Sequence, residues 1–176
     1  MRDNPSSMQA IVAIEPGGPD VLALLERPVP APGPGEVLLR VRAAGVNRPD
    51  IMQRQGLAQP PKDVTDVLGL EACGVVAACG PGVPGGLLGQ RVMALLPGGG
   101  YAPWAVVRAD HCLPVPENMR DVEAGALPEG LFTIWHNLFE LGRLRMGETV
   151  LIHGAAGGIG TLALQMAHAA GATVIA

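Results

Sequence analysis

The chain has 176 residues, enough for one domain or a domain and a fraction, with 48% hydrophobic and 16% charged residues. That balance supports a packed core and excludes intrinsic disorder. A net charge of −4 with no basic block argues against nucleic acid and acidic membrane surfaces as partners, no apolar run is long enough to span a bilayer, and the opening MRDNPSSMQA lacks the apolar core of a signal peptide.

Residues 1–7 read as a loose leader. From Met8 to about Pro116 the pattern is mostly strands. QAIVAIE and VLALLERPVP flank the turn PGGPD and predict a hairpin or meander. EVLLRVRAAGV then alternates Leu39, Val41 and Ala43 with Arg40 and Arg42, the pattern of a half-solvated antiparallel strand. In NRPDIMQRQG, Asn47 or Asp50 can cap a short helical turn that Gly56 ends. VLGLEACGVVAAC is a strand interrupted by glycines, which implies bends or a close backbone approach. QRVMALL and YAPWAVVRADHCLPVP add two or three more strands, so a small barrel or sandwich is expected. Cys73, Cys79 and Cys112 are odd in number and lack close pairing, which predicts free thiols in a reducing cytoplasm.

The pattern changes near Asp121, read as the N-cap of a short helix that Pro128 separates from the next. Leu131, Ile134, Trp135, Leu138 and Phe139 fall at helical spacing. Strand ETVLIH, helix GIGTLALQMAHAAG (ended by Gly171) and strand ATVIA complete a β-α-β unit. Between the first strand and the helix lies HGAAGGIG. Ala155 stands where a stricter dinucleotide fingerprint has its first glycine, and Gly157 and Gly160 fill the other two places. Gly157 would let backbone approach a pyrophosphate, and Gly160 would let the helix pack closely on the strand. The N–H groups of Gly158, Ile159 and Gly160 would face the phosphates, aided by the helix dipole. A glycine-rich turn with no ligand is the competing reading. The residue that takes the adenosine ribose is expected about 20 positions after the first glycine. That count ends in ATVIA, which carries no acid and no base.

On these segments the sequence resembles the medium-chain dehydrogenase/reductase superfamily, and within it the zinc-independent quinone oxidoreductases. The resemblance is carried by GGPDVLALLERPVPAPGPGEVLLRVRAAGVNRPD, LGLEACGVV, PEGLFTIWHNLF and GETVLIHGAAGGIGTLALQMA. NRPDIMQRQG and MALLPGGG are most similar to the tumour-suppressor-inducible quinone oxidoreductase branch, and the signature departs at His168. The resemblance implies a GroES-like β-barrel catalytic domain over 8–120, followed over 121–176 by linking helices and the first β-α-β of a truncated Rossmann domain, with the active site in the cleft between the two. Zinc-dependent relatives use a Cys and a His where this chain has Asn47 and Leu70, and leucine has no lone pair to give, so no metal is expected. The implied chemistry is hydride transfer from NADPH or NADH to a quinone; an enone or enoyl-thioester reductase and an inactive fragment without the adenosine half are the alternatives. The residues deciding NADPH against NADH are expected beyond Ala176. Members are often homo-oligomeric.

The resemblance makes Asn47 the catalytic residue, close to the nicotinamide ribose or substrate, and Thr133 a neighbour of the nicotinamide; Ala155, Ala156, Gly157, Gly158, Ile159 and Gly160 form the pyrophosphate turn. Asp50 reads as a structural partner in the Asn47 turn, and Glu71 and Glu129 as structurally paired acids. Ala58 stands where the closest branch often has a substrate-side tyrosine, and Tyr101, the only tyrosine, is read as lying elsewhere.

Overall fold

The computed structural model describes residues 5–60, 62 and 64–176, and the chain divides into two compact units, one through Pro128 and one from Glu129 to Ala176. The first unit opens with the predicted hairpin: β1 (Ser7–Ala13) runs antiparallel to β2 (Leu22–Pro28), with Ser7 opposite Pro28 and Ala13 opposite Leu22. Ala10 and Val12 turn inward and pack with Val67 and Ala102. Of the residues expected as a loose leader, Ser6 and Ser7 are part of the fold, because Ser6 accepts a hydrogen bond from the Val29 N–H and Ser7 belongs to β1. Residues 1–4 lie outside the described residues.

The remaining strands of this unit form one antiparallel sheet of β3 (Glu36–Ala44), β4 (Glu71–Cys79), β5 (Arg91–Leu95), β6 (Trp104–Arg108) and β7 (Cys112–Pro114), in the order β6-β3-β4-β5-β7. Its core is Val37, Leu39, Ala72, Val76, Val92, Ala94, Leu96, Ala105 and Val107. On β3 the predicted alternation holds from Leu39 to Ala43, with both arginines exposed. Leu38 is buried as well, although it is not part of the cluster that holds Val37 and Leu39, and the pairing with β4 slips beside it, passing over Ala77. The close approach inferred from the glycines of β4 is at Gly74, where a Cβ would stand 2.9 Å from the Arg40 carbonyl carbon.

Helix α1 (Arg48–Arg54) fills the connection between β3 and β4, and α2 (Asp121–Ala124) follows β7. Asp121 is not the N-cap of α2. Arg120 holds that position, and its N–H donates to Glu123 at 2.9 Å. The Asp121 carboxylate accepts instead from Arg91 at 2.7 Å and Arg42 at 3.3 Å. Gly125 lies so close to β3 that a Cβ would meet the Ala43 carbonyl carbon at 2.9 Å. These contacts hold α2 on the first unit, so the division falls after Pro128 and not at the expected residue 121.

The division falls at the first residue of α3 (Pro128–Ile134), whose remainder opens the second unit and widens into a π-helical turn over Trp135–Leu141. The spacing read from sequence was that of an uninterrupted α-helix. The Asn137 side chain donates to the Thr133 carbonyl at 2.7 Å, competing for an acceptor that the α-helical ladder would use. Ile134 is buried, whereas Trp135 and Leu141 are exposed. The β-α-β unit follows: β8 (Thr149–Leu151), α4 (Gly158–Ala169) and β9 (Thr173–Ile175), the strands parallel and Thr149 opposite Thr173. Ile134, Ile152, Ala163, Ala167 and Ala172 make its core. Gly171, at φ +78°, ends α4 in the left-handed conformation as its position predicts.

Candidate functional site

The glycine turn joins β8 to α4. Gly154, at φ +69°, makes the reversal, and the Gly157 N–H returns to its carbonyl at 3.0 Å. The left-handed residue is therefore one place before Ala155, which stands at the first glycine position of the fingerprint; Ala155 is half-buried against the core of the unit. The signal that could have located it is the lone glycine directly after the strand. Gly160 is required by packing, since a Cβ there would lie 2.6 Å from the Ala155 Cα. Gly157 and Gly158 are different. Gly157 has φ −77°, and a Cβ would meet only the Gly154 carbonyl oxygen at 3.4 Å; at Gly158 nothing lies within 4 Å. The chain itself does not demand glycine at either position.

Ala156, Gly157, Gly158 and Ile159 are exposed, so the cradle opens to solvent. The N–H groups of Gly158, Ile159 and Gly160 fall in the first turn of a 12-residue helix, where no intrahelical acceptor exists. Thr161 Oγ1 lies 3.1 Å from the Gly157 and Gly158 carbonyls and occupies them. The cradle presents donors and a helix N-terminus to an anion, with space over two glycines. A pyrophosphate fits this arrangement.

In the first unit, Asn47 precedes α1. Its backbone N–H donates to Asp50 Oδ2 at 2.8 Å, and its side-chain Nδ2 donates to Glu71 Oε1 at 2.8 Å. Asp50 and Glu71 are both buried, at 3% and 2% exposure. Tyr101 joins this group, since its hydroxyl donates to Asp50 Oδ2 at 2.9 Å. Burial, followed by the charge of Asp50, pushes that phenol well above its usual value, and the Glu71 charge adds to the effect. Sequence reasoning missed Tyr101 for want of a local motif. The available signal was that a tyrosine sunk among apolar strands must find a partner for its hydroxyl. Gly45 makes room for the Glu71 carboxyl, since a Cβ at Gly45 would stand 2.6 Å from Glu71 Cδ. Asp50 Oδ1 is buried without a hydrogen-bond partner.

Thr133, on α3, gives its carbonyl to Asn137, and its side chain is half-buried. Cys73 is buried, with its thiol 3.6 Å from Asp121. Burial, helped by the Asp121 charge, raises that thiol to about 11. Cys112 is likewise raised to about 11, chiefly by burial.

Residues 33–117 match the alcohol dehydrogenase GroES-like domain. The chain is 46% identical over 154 residues to the synaptic vesicle membrane protein VAT-1 homolog of Rattus norvegicus, a match covering 85% of this chain and 38% of that protein. Among solved structures, the quinone oxidoreductase from Coxiella burnetii superposes with a TM-score of 0.81 at 30% identity, covering 96% of this chain and 55% of that one. The CurK enoyl reductase superposes with a TM-score of 0.84 at 30% identity, covering 97% of this chain and 54% of that one. The chain thus spans little more than a third of the vesicle protein's length and about half of each solved structure. Its GroES-like sheet, its β-α-β unit and these likenesses agree: residues 33–117 form an alcohol dehydrogenase GroES-like domain, and the chain as a whole is similar to the first half of medium-chain dehydrogenase/reductase enzymes.

Proposed function

We propose that this chain supplies the catalytic domain and the pyrophosphate turn of an NADPH-dependent quinone oxidoreductase that works without a metal, the β-α-β unit being the start of a Rossmann domain. The observation that carries the reading is the turn at Gly154–Gly160, whose Gly157 is a glycine that the fold does not need and the close approach of a dinucleotide's pyrophosphate does. When bound, the reduced nicotinamide supplies a hydride, two electrons with one proton, to an acceptor that is already electrophilic. A quinone takes that hydride and one proton from water to give a hydroquinone. Leu70, in place of a zinc ligand, and Asn47, in place of another, support a site without Lewis-acid metal.

The protein's part is to bind and orient. The first-turn N–H groups of α4 hold the pyrophosphate, and Gly157 lets backbone approach it. Asn47, fixed by Glu71 and Asp50, orients the nicotinamide ribose or the acceptor by hydrogen bonding. The likeness to an enoyl reductase supports a second acceptor class, a conjugated enone or enoyl thioester. NADH is the alternative donor.

The test is NADPH oxidation by the chelator-treated protein, followed by absorbance with 1,4-benzoquinone, methyl vinyl ketone and crotonyl thioester in turn. Quinone-dependent oxidation that survives chelation and weakens in Asn47→Ala supports the proposal. Oxidation dependent on the enone or thioester alone selects the second reading. Loss of activity on chelation, restored by zinc, overturns the metal-free account.

A further inference from the structure

Asn47 stands between two buried acids that grip it differently. Asp50 Oδ2 accepts from its backbone N–H and is itself held by the Tyr101 hydroxyl. Glu71 Oε1 accepts from its side-chain Nδ2 at 2.8 Å. The first contact fixes where the residue stands at the head of α1, and the second fixes which way its amide faces. An asparagine amide has a donor end and an acceptor end of nearly equal size, so its orientation is set by its neighbours. A carboxylate only accepts. Glu71 therefore draws the nitrogen end of Asn47 toward itself and turns the oxygen end away.

Glu71 can do this because the first residue of β4 is buried and its carboxyl occupies the space over Gly45, where a Cβ would stand 2.6 Å from Cδ and 2.9 Å from Cγ. A displaced buried carboxyl has few other places to stand, so the contact is stiff.

We propose that Glu71 is a positioning residue. It locks the Asn47 amide in one orientation, so that a ligand meeting Asn47 finds a fixed hydrogen-bonding polarity and not a mixture of two. Gly45 is the residue that lets it do so. The ligand arm rests on the reading of Asn47 as a cofactor or acceptor contact; the amide orientation does not.

The variants are Glu71→Gln, which keeps shape but can donate or accept, and Gly45→Ala, which keeps Glu71 but displaces the end of its side chain. The first measurement is the side-chain amide signal of Asn47 by NMR of the ligand-free 176-residue protein. In the wild type, one amide proton is expected downfield and protected from exchange. In both variants that proton is expected to lose its protection, by roughly tenfold or more, while backbone amides of β3 and β4 keep theirs. The second measurement is NADPH affinity by fluorescence, with KM and kcat where turnover is present. Both variants are expected to weaken binding severalfold. Glu71→Asp, which restores a carboxylate acceptor, is expected to recover part of the loss. An Asn47 signal unchanged in both variants overturns the proposal, whatever the cofactor does. A changed signal with NADPH affinity equal to the wild type overturns it too. A wild type that binds no NADPH contradicts the proposed function, while the NMR comparison still decides whether Glu71 orients Asn47.

Discussion

Two glycines of one turn separate a structural requirement from a functional one. Gly160 is pressed against the Ala155 Cα, whereas Gly157 has room for a methyl group. Gly160→Ala is expected to destabilise the protein by about 1–3 kcal/mol in urea unfolding, since the added carbon meets backbone. Gly157→Ala is expected to change stability by less than about 1 kcal/mol and to lower NADPH affinity tenfold or more. The sequence made both positions legible through their spacing. Gly154 was not, because a fingerprint counts glycines and does not report which of them has positive φ. Tyr101 was invisible for a related reason: its partner Asp50 is 51 residues away, beyond the reach of local pattern. The Cys73 thiol gives a chemical check. Raised to about 11 by burial and by Asp121, it is almost wholly protonated at pH 8. Iodoacetamide at that pH is expected to leave Cys73 unmodified in the folded protein and to label it in denaturant, as read by peptide mass spectrometry.

At the scale of the element, most strands and α4 were legible because period and turn residues agreed locally, as in β3 and in the Gly171 stop. The ends of helices were less so. Asp121 looks like a cap in sequence but is the first residue of α2, its carboxylate taken by Arg91 and Arg42 on strands of the sheet. Arg91 first, then Arg42, holds that carboxyl below the usual carboxylate range. The stability this contributes is fully present above the ordinary aspartate value and is lost as pH falls through the lower folded value. Asp121→Asn is expected to cost about 1–2 kcal/mol at pH 7 by urea unfolding. The gap between variant and wild type should stay level down to about pH 5 and close at lower pH. The π-helical turn at Trp135–Leu141 was likewise unreadable, since Asn137 reaching back to Thr133 is a side-chain choice that the apolar spacing does not encode.

For the whole molecule, both units leave large apolar side chains in solvent, among them Leu24 and Val46 in the first and Met146 and Leu151 in the second. Leu151 and Ile175 face each other across β8 and β9 at 58% and 53% exposure, on a sheet of two strands. Open parallel edges and exposed apolar side chains favour association. The chain is expected to bind the dye ANS and to self-associate as concentration rises, by light scattering, and the pair Leu151→Thr and Ile175→Thr should reduce both. Composition forecast a packed core but not this exposed pair, which depends on how many strands the second sheet has. The claim joining these scales is that the Gly154–Gly160 turn holds a dinucleotide. Fluorescence titration of the 176-residue protein with NADPH, run beside Gly157→Ala, tests it most directly. Saturable binding by the wild type, weakened at least tenfold in a variant of near-equal stability, is the predicted result. No saturable binding, or equal affinity in both proteins, would contradict it.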